Sequence, residues 1–285
     1  MDQNRRLFLG AMGGLALGST LTGTGIAFAK DNPPAAAAEA KPQRFAQMGG
    51  DFSWKYQKLD PAESAMVAYE GYWHKGYGCG YGVYYGIVGM LAEKFGAPYN
   101  TFPFSIFEMF KGGMSDWGTI CGALAGASAA IFTFFPRKQA NPMVSELFRW
   151  YEKTAFPIFD PKEAANPKGF KGALPTSVSN SVLCHISVSR WAYTTKLGAN
   201  SKERSERCGR ITADVCMKAI EILNAKLDAG MDWKGALPKQ ESVVQCGACH
   251  GKGKMTDTLK GNMGCDSCHS GSEATMDKFH DHPKM

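Results

Sequence analysis

The clearest helix in the sequence spans residues 201–227 and reads SKERSERCGRITADVCMKAIEILNAKL. Its apolar side chains recur at steps of three and four, the spacing that places them on one face of an α-helix. The residues of this stripe are Cys208, Ile211, Val215, Ala219 and Ile222. Because such a stripe is buried against neighbouring elements, the pattern predicts a helix whose Cys208 points into the protein.

Helical spacing continues through most of the chain that precedes this segment. Glycine or proline follows several of these segments, as expected where helices end. We expect further helices at 62–74, 81–95, 105–111, 117–135, 143–155 and 178–197. No alternating strand pattern competes with them. The predicted fold class is therefore mainly α, with a helical domain at 45–234 followed by a small, irregular carboxyl-terminal segment at 235–285.

Composition places the chain among globular proteins. Of its 285 residues, 44% are hydrophobic and 20% are charged, which argues against a disordered chain and against a membrane-spanning bundle. The formal net charge is +6, but the lysines are dispersed and do not accompany a nucleic-acid-binding motif. We therefore expect no nucleic-acid partner.

The first 29 residues have the features of a twin-arginine export signal. Arg5 and Arg6 precede a weakly apolar stretch that ends in the cleavage sequence Ala27-Phe28-Ala29. A transmembrane anchor is the alternative, but six Gly, three Thr and one Ser interrupt the stretch. We expect a signal peptide at 1–29, a linker rich in Ala and Pro at 30–44, and a periplasmic protein without a stable membrane anchor.

The carboxyl-terminal segment contains two Cys-x-x-Cys-His motifs. They are Cys246-Gly-Ala-Cys249-His250 and Cys265-Asp-Ser-Cys268-His269. Two thiols at this spacing reach the two vinyl groups of one porphyrin, and the adjacent imidazole ligates the iron from one face. We therefore predict two haems c, attached by the four cysteines and ligated on the near side by the two histidines. The segment has few aliphatic residues of its own, so the macrocycles would also supply its core.

Zinc is the rival interpretation of this segment. The two cysteine pairs are separated by fifteen residues, which is also a spacing of four-cysteine zinc ribbons. A ribbon does not need a histidine directly after each pair, whereas both pairs have one. Because haem c is assembled outside the cytoplasm, the export signal also favours haem.

Each haem iron needs a sixth ligand on its opposite face. Four further histidines are candidates, namely His74, His185, His280 and His282. Methionine, of which the chain has 14, is the alternative ligand. We favour His74 and His185, because they lie beside Cys79 and Cys184 on the helical domain and would dock the haem segment onto it.

Five cysteines remain outside the haem motifs: Cys79, Cys121, Cys184, Cys208 and Cys216. Disulfides are the usual expectation in an exported protein, but five is an odd number. Four thiolates are also what an iron–sulfur cluster requires. Spacing alone leaves both alternatives open. The twin-arginine route carries folded proteins, which favours a cluster inserted before export.

The cysteine pattern resembles that of a known family. Cys79, the segment Cys121-Gly-Ala-Leu-Ala-Gly126, and the isolated Cys184 and Cys208 are similar to the C_GCAxxG_C_C pattern. Together with two carboxyl-terminal haem motifs, this arrangement resembles the split-Soret cytochromes c over roughly residues 65–269.

The resemblance implies cofactors and an assembly. It implies that Cys79, Cys121, Cys184 and Cys208 bind an iron–sulfur cluster of the [2Fe-2S] type, that both haem irons are bis-histidine, and that a homodimer stacks its haems across the interface. Cys216 has no place in the pattern, so it is either a core thiol or a substitute ligand.

The expected function is electron transfer between the haems, the cluster and an unidentified redox partner protein. The alternative is a small multi-centre reductase with one open haem iron face. That activity would need a polar pocket around a five-coordinate haem, and the sequence identifies neither such a pocket nor a catalytic residue.

Overall fold

A computed structural model describes residues 54–269 of the chain. This part is mainly helical, as predicted, and its sheet content is one antiparallel pair of two-residue strands. Between residues 54 and 269, no helix is both long and apolar enough to cross a membrane. The predicted signal peptide and linker lie outside the described residues.

Short turns and loops connect the elements of the described region. The α-helices are α1 (Pro61–Trp73), α2 (Cys79–Tyr84), α3 (Met90–Phe95), α4 (Gly122–Phe134), α5 (Arg137–Lys153), α6 (Cys184–Thr195), α7 (Lys202–Ala229), α8 (Glu241–His250) and α9 (Asp266–His269). A π-helical turn at Tyr85–Gly89 joins α2 to α3. The 3₁₀ turns are His74–Gly76, Phe104–Phe110, Lys162–Ala164 and Gly230–Asp232, and strand β1 (Ala155–Phe156) pairs with β2 (Ser177–Val178).

Side-chain caps fix where two of these helices begin. The Glu63 backbone N–H donates to the Asp60 carboxylate at 2.7 Å, directly before α1. The Arg204 N–H donates to the Ser201 hydroxyl at 3.1 Å, directly before α7. Each cap satisfies a backbone donor that has no partner within its helix.

Helix α7 is the centre of the core and packs against α1, α2, α4 and α5. The apolar stripe predicted for it is confirmed, because Ile211, Val215, Ala219 and Ile222 are all buried. Burial of this face against four other helices supplies hydrophobic stabilisation that the isolated helix would lack.

Glycines allow α1, α2 and α4 to approach one another closely. A Cβ atom on Gly82 of α2 would lie 2.5 Å from the Ala68 carbonyl oxygen of α1. A Cβ atom on Gly126 of α4 would lie 2.3 Å from the Gly80 carbonyl oxygen of α2. Both distances are too short for any side chain. The close crossings bring the beginning of α2, at Cys79, next to the beginning of α4.

The structure differs from the sequence predictions at three helix starts. Helix α4 begins at Gly122 instead of 117, because Gly118 has a positive φ angle that a right-handed helix does not accept and Ile120 forms an isolated β-bridge with Leu183. Helix α6 begins at Cys184 instead of 178, because Ser177–Val178 pairs with β1. Helix α5 begins at Arg137 instead of 143 and accommodates Pro142 in its interior.

The carboxyl-terminal segment is also more regular than expected. Helix α8 covers the whole first Cys-x-x-Cys-His motif, and α9 covers the end of the second. The segment packs on α5, where the Arg149 Nε donates to the Pro238 carbonyl at 2.8 Å. The Leu237 N–H donates to the Glu146 carboxylate, also at 2.8 Å.

Candidate cofactor sites

Four cysteines of the helical body line one small cavity of about 20 Å³. They are Cys79, Cys121, Cys184 and Cys208. The remaining wall consists of Ala123, Tyr151, Ser187, Val188, Arg207 and Ile211. The four thiols are separated by as many as 129 positions in the sequence, so the packing of four helices brings them together.

Three of the four cysteines lie at helix amino termini. Cys79 and Cys184 are the first residues of α2 and α6, and Cys121 directly precedes α4. The Cys121 sulfur accepts hydrogen bonds from the backbone N–H groups of Ala123 and Leu124. Unpaired N–H groups and the helix dipole favour negative charge at such positions. The backbone is therefore arranged to stabilise thiolates at this cavity.

Two glycines leave room for sulfur at the cavity. A Cβ atom on Gly122 would lie 2.6 Å from the Cys79 sulfur. A Cβ atom on Gly113, which has a φ of +72°, would lie 2.7 Å from the Cys184 Cβ. A larger residue at either position would displace a cysteine side chain, so these glycines help to set the positions of two thiols.

Burial and neighbouring thiols raise the pKa values of Cys79, Cys121 and Cys184. Burial is the main cause for Cys79 and Cys121, and neighbouring thiols add to it. The pKa of Cys184 is raised to about 12 by burial and by Cys121 and Cys208, although Arg204 and Arg207 oppose the rise. Since a metal binds the thiolate, loading of this site would release protons.

Sequence reasoning missed the polar residues that surround the thiols. Tyr151 is fully buried, and its hydroxyl donates to the Ser187 hydroxyl at 3.0 Å. The Arg207 Nη2 donates to the same Ser187 oxygen at 3.0 Å. The adjacency of Arg207 to Cys208 was the one available signal, but a charged residue next to an apolar stripe does not by itself indicate burial.

The chemistry of the donor set fits an iron–sulfur cluster. Four soft thiolate ligands are what such a cluster requires. The Arg207 Nε is buried without a hydrogen-bond partner among the described residues. An anion bound at this wall of the cavity would accept a hydrogen bond from it. Within residues 54–269, no three His, Cys, Asp or Glu side chains are grouped to hold a single ion. An iron–sulfur cluster needs fewer protein ligands per metal ion, because each iron also binds inorganic sulfide and only one or two protein thiolates.

Cys216 lies away from this cavity. Its buried thiol donates to the Ser64 carbonyl oxygen of α1 at 3.5 Å. A Cβ atom on Gly86 would lie 2.8 Å from its sulfur. These contacts are those of a core thiol, the first of the two alternatives that the sequence left open.

The two predicted haem-attachment motifs meet in space. Cys265 and Cys246, the first cysteine of each motif, share a side-chain hydrogen bond. Burial is the largest cause that raises the pKa of Cys265 to about 11, and Cys246 is the next. Cys249 and Cys268 are exposed.

Hydrogen bonds fix the contact between the motifs and the orientation of one histidine. The Cys265 N–H donates to the Ser242 hydroxyl of α8 at 3.2 Å, and that hydroxyl donates to Asp266 at 3.1 Å. The His250 Nδ1 lies 2.8 Å from the Thr258 hydroxyl and 2.9 Å from the Thr256 hydroxyl. Partners on Nδ1 are typical of a histidine that ligates a metal through its other nitrogen.

The candidate distal histidines are placed differently from one another. His74 is exposed at the end of α1, and its ring stacks on Tyr81 with 5.9 Å between centroids. His185 is exposed near the beginning of α6, where its backbone N–H donates to the Gly118 carbonyl at 3.0 Å. His280 and His282 lie outside the described residues. Which of the four are ligands stays a prediction.

A second, larger cavity of about 380 Å³ lies between α5 and the haem segment. Its walls include Val144, Phe148, Val182, Leu237 and Met263. Met263 precedes Cys265 by two residues, so this largely apolar space adjoins the second attachment motif.

Comparisons with known proteins show which family the chain resembles. The sequence pattern of the C_GCAxxG_C_C family, whose members are described as candidate redox-active proteins, matches residues 85–222. The match includes Cys121, Cys184 and Cys208, while Cys79 precedes it. The chain is 55% identical to the split-Soret cytochrome c of Desulfovibrio desulfuricans over 99% of its own length and 100% of that protein.

A solved structure is similar as well. The split-Soret cytochrome c from Desulfovibrio desulfuricans ATCC 27774, described as having a novel iron centre, has a TM-score of 0.77 and 59% sequence identity with this chain. The similarity covers 83% of this chain and 98% of the other.

Proposed function

The chain belongs to the split-Soret cytochrome c family, and from that membership we propose that it is a periplasmic electron-transfer protein with two haems c and a [2Fe-2S] cluster. The observation that carries the proposal is the convergence of Cys79, Cys121, Cys184 and Cys208 on one buried cavity. Four thiols that meet in this way form a site for a redox-active iron centre, with which the haems would exchange electrons.

The residues around the cavity have distinct tasks in this proposal. The four cysteines bind the irons, and the N–H groups of Ala123 and Leu124 stabilise the negative charge on Cys121. Tyr151 and Ile211 fill the wall and exclude water. A cluster bound here would accept and release one electron at a time.

The haem segment has a corresponding division of roles. Cys246 and Cys249 would attach one haem and Cys265 and Cys268 the other, with His250 and His269 as near ligands. Thr256 and Thr258 hold the His250 ring through Nδ1. The cavity beside α5 has both apolar and charged walls, adjoins the second motif and offers space for part of a porphyrin.

The contact between Cys246 and Cys265 supports close approach of the two haems. Because Cys246 would hold one haem and Cys265 the other, the attachment points of the two haems of one chain would be neighbours. We further propose a homodimer in which haems stack across the interface, since two flat cofactors on a small segment leave apolar surface to cover.

We propose export through the twin-arginine pathway, which the pattern of the first 29 residues supports. A cluster would be inserted in the cytoplasm before passage, and the haems would be attached afterwards in the periplasm. The redox partner is proposed to be another protein, with which the exported chain exchanges electrons.

One optical and analytical experiment tests the proposal. The protein is produced in a host that attaches haem c, and haem, total iron and acid-labile sulfide are measured on the same sample. We expect two haems per chain together with non-haem iron and sulfide. Zinc without haem would contradict the assignment of residues 246–269. Haem without sulfide would contradict the assignment of the four body cysteines.

A further inference from the structure

Two arginines of α7 lie at the four-cysteine cavity. Arg207 is 1% exposed and lines the cavity directly. Its Nη2 donates to Ser187, and its guanidinium lies over the Trp191 ring at 5.6 Å. Arg204, one turn earlier, is hydrogen-bonded to the Cys208 sulfur and donates through Nε to the Ala199 carbonyl at 2.7 Å.

These two guanidinium groups have no directly paired carboxylate. Asp214 is buried and interacts with Arg207 electrostatically, but its carboxylate accepts the backbone N–H groups of Ile158 and Phe159. Among residues 54–269, neither arginine forms an ion pair with Asp or Glu. Glu206 lies between them in sequence, but its carboxylate accepts from the Arg210 Nε at 2.8 Å and from the Tyr69 hydroxyl. Burial of a charge without a directly paired counter-charge is unfavourable, so the Arg207 guanidinium favours a further anion beside it.

The thiols are the groups within reach that can supply this negative charge. Cys208 contacts Arg204, and both arginines oppose the rise in the pKa of Cys184. A cluster held by four thiolates has a net negative charge, because the thiolates and sulfides together outweigh the iron charges. Two guanidinium groups beside it would partly offset this negative charge. The free-energy cost of adding an electron to the cluster would therefore be lower.

We propose that Arg204 and Arg207 are the counter-charges of the four-thiolate site and raise the reduction potential of its iron–sulfur cluster. This inference rests on the proposed cluster and adds to it the residues that set its potential. One-electron reduction adds a negative charge to the site, and both arginines stabilise the reduced state more than the oxidised state. The effect of Arg207 is larger, because Arg207 is buried and Arg204 is partly exposed to screening by water and salt.

A purely structural role for Arg207 makes a different prediction. Through Ser187 and Trp191, Arg207 also connects α7 to α6. Loss of that connection would lower stability without moving the potential of a cluster that remains bound. The midpoint potential therefore separates the two roles.

The test is a redox titration of the holoprotein with dithionite and mediators, in which the cluster is followed by its electron paramagnetic resonance signal. The variants are Arg204→Gln, Arg207→Met and Arg207→Lys, each with iron and sulfide measured. Lys202→Gln is the matched control, because it removes one positive charge from an exposed position of the same helix.

We expect a more negative cluster potential in Arg204→Gln and a still more negative one in Arg207→Met. Arg207→Lys should stay closer to the wild type, and Lys202→Gln should shift the potential least. Should Arg207→Met fail to retain the cluster, Arg204→Gln decides the outcome. A potential in Arg204→Gln that is unchanged, or more positive, at normal iron and sulfide content would overturn the inference. A wild-type protein without sulfide would instead refute the proposed cluster itself.

Discussion

Cys246 and Cys265 share a hydrogen bond although they are nineteen residues apart and belong to different haem motifs. Two porphyrins attached at these sulfurs would be close enough for their electronic transitions to couple. We therefore expect a split main absorption band in the oxidised protein.

Single-haem variants locate the origin of this splitting. Replacing Cys265 and Cys268 by Ser removes the second haem, and replacing Cys246 and Cys249 removes the first. If the haems of one chain are coupled, each variant should show a single band. A band that remains split in a single-haem variant would mean that the coupling occurs across a dimer. Sedimentation at the same concentrations gives the oligomeric state.

Covalent attachment at two motifs predicts how much haem is lost when the cysteines of one motif are replaced. A thioether survives denaturation, whereas a coordinate bond does not, so haem should remain with the chain on a denaturing gel. Cys246→Ser combined with Cys249→Ser should reduce the haem stain to about half. Cys216→Ser is the control and should retain all of it. Equal staining of the double variant and the wild type would be incompatible with attachment at this motif.

Cys208 and Cys216 lie eight residues apart on the same helix, but their side chains have different surroundings. Cys208 lines the cluster cavity, while the Cys216 thiol donates to the Ser64 carbonyl. Cys208→Ser should lose most of the non-haem iron, because a hard oxygen ligand replaces a soft thiolate. Cys216→Ser should keep its iron. The opposite pattern would assign the ligand role to Cys216.

Asp214 of α7 is predicted to stabilise the loop that follows β1. Its carboxylate accepts the backbone N–H groups of Ile158 at 3.0 Å and of Phe159 at 2.7 Å. Asp214→Ala leaves both backbone donors without the buried carboxylate that accepts them and should lower the free energy of unfolding by about 2 kcal/mol. Asp228→Ala breaks an exposed ion pair with Lys58 and should cost at most about 0.5 kcal/mol. Urea unfolding followed by circular dichroism measures both, and equal midpoints would contradict the role given to Asp214.

The periodic parts of the fold could be predicted from the sequence. The stripe from Ile211 to Ile222 was recognisable because helix burial repeats every three to four residues. The start of α6 was not predictable in this way, because it depends on the pairing of Ser177–Val178 with Ala155–Phe156, a contact between distant segments. Local propensity does not report such pairing.

The candidate sites were predictable to different degrees. The haem motifs are local, so their spacing alone indicates their chemistry. Cys79 and Cys208 come together only through the helix crossings at Gly82 and Gly126. The spacing of the cysteines in the sequence therefore could not decide between a cluster and disulfides. Hydrophobic periodicity in the sequence does not indicate that Arg207 is buried. Its burial results from contacts with Ser187 and Trp191, which only the packed structure defines.

The most direct test of the central claim is the ratio of acid-labile sulfide to haem in the purified holoprotein. Two haems and one [2Fe-2S] cluster per chain predict about one sulfide per haem, with a matching amount of non-haem iron. The thiols of Cys79, Cys121, Cys184 and Cys208 should then resist alkylation until the cluster is removed. Haem without sulfide, together with four body cysteines that react freely or are joined in disulfides, would contradict the account.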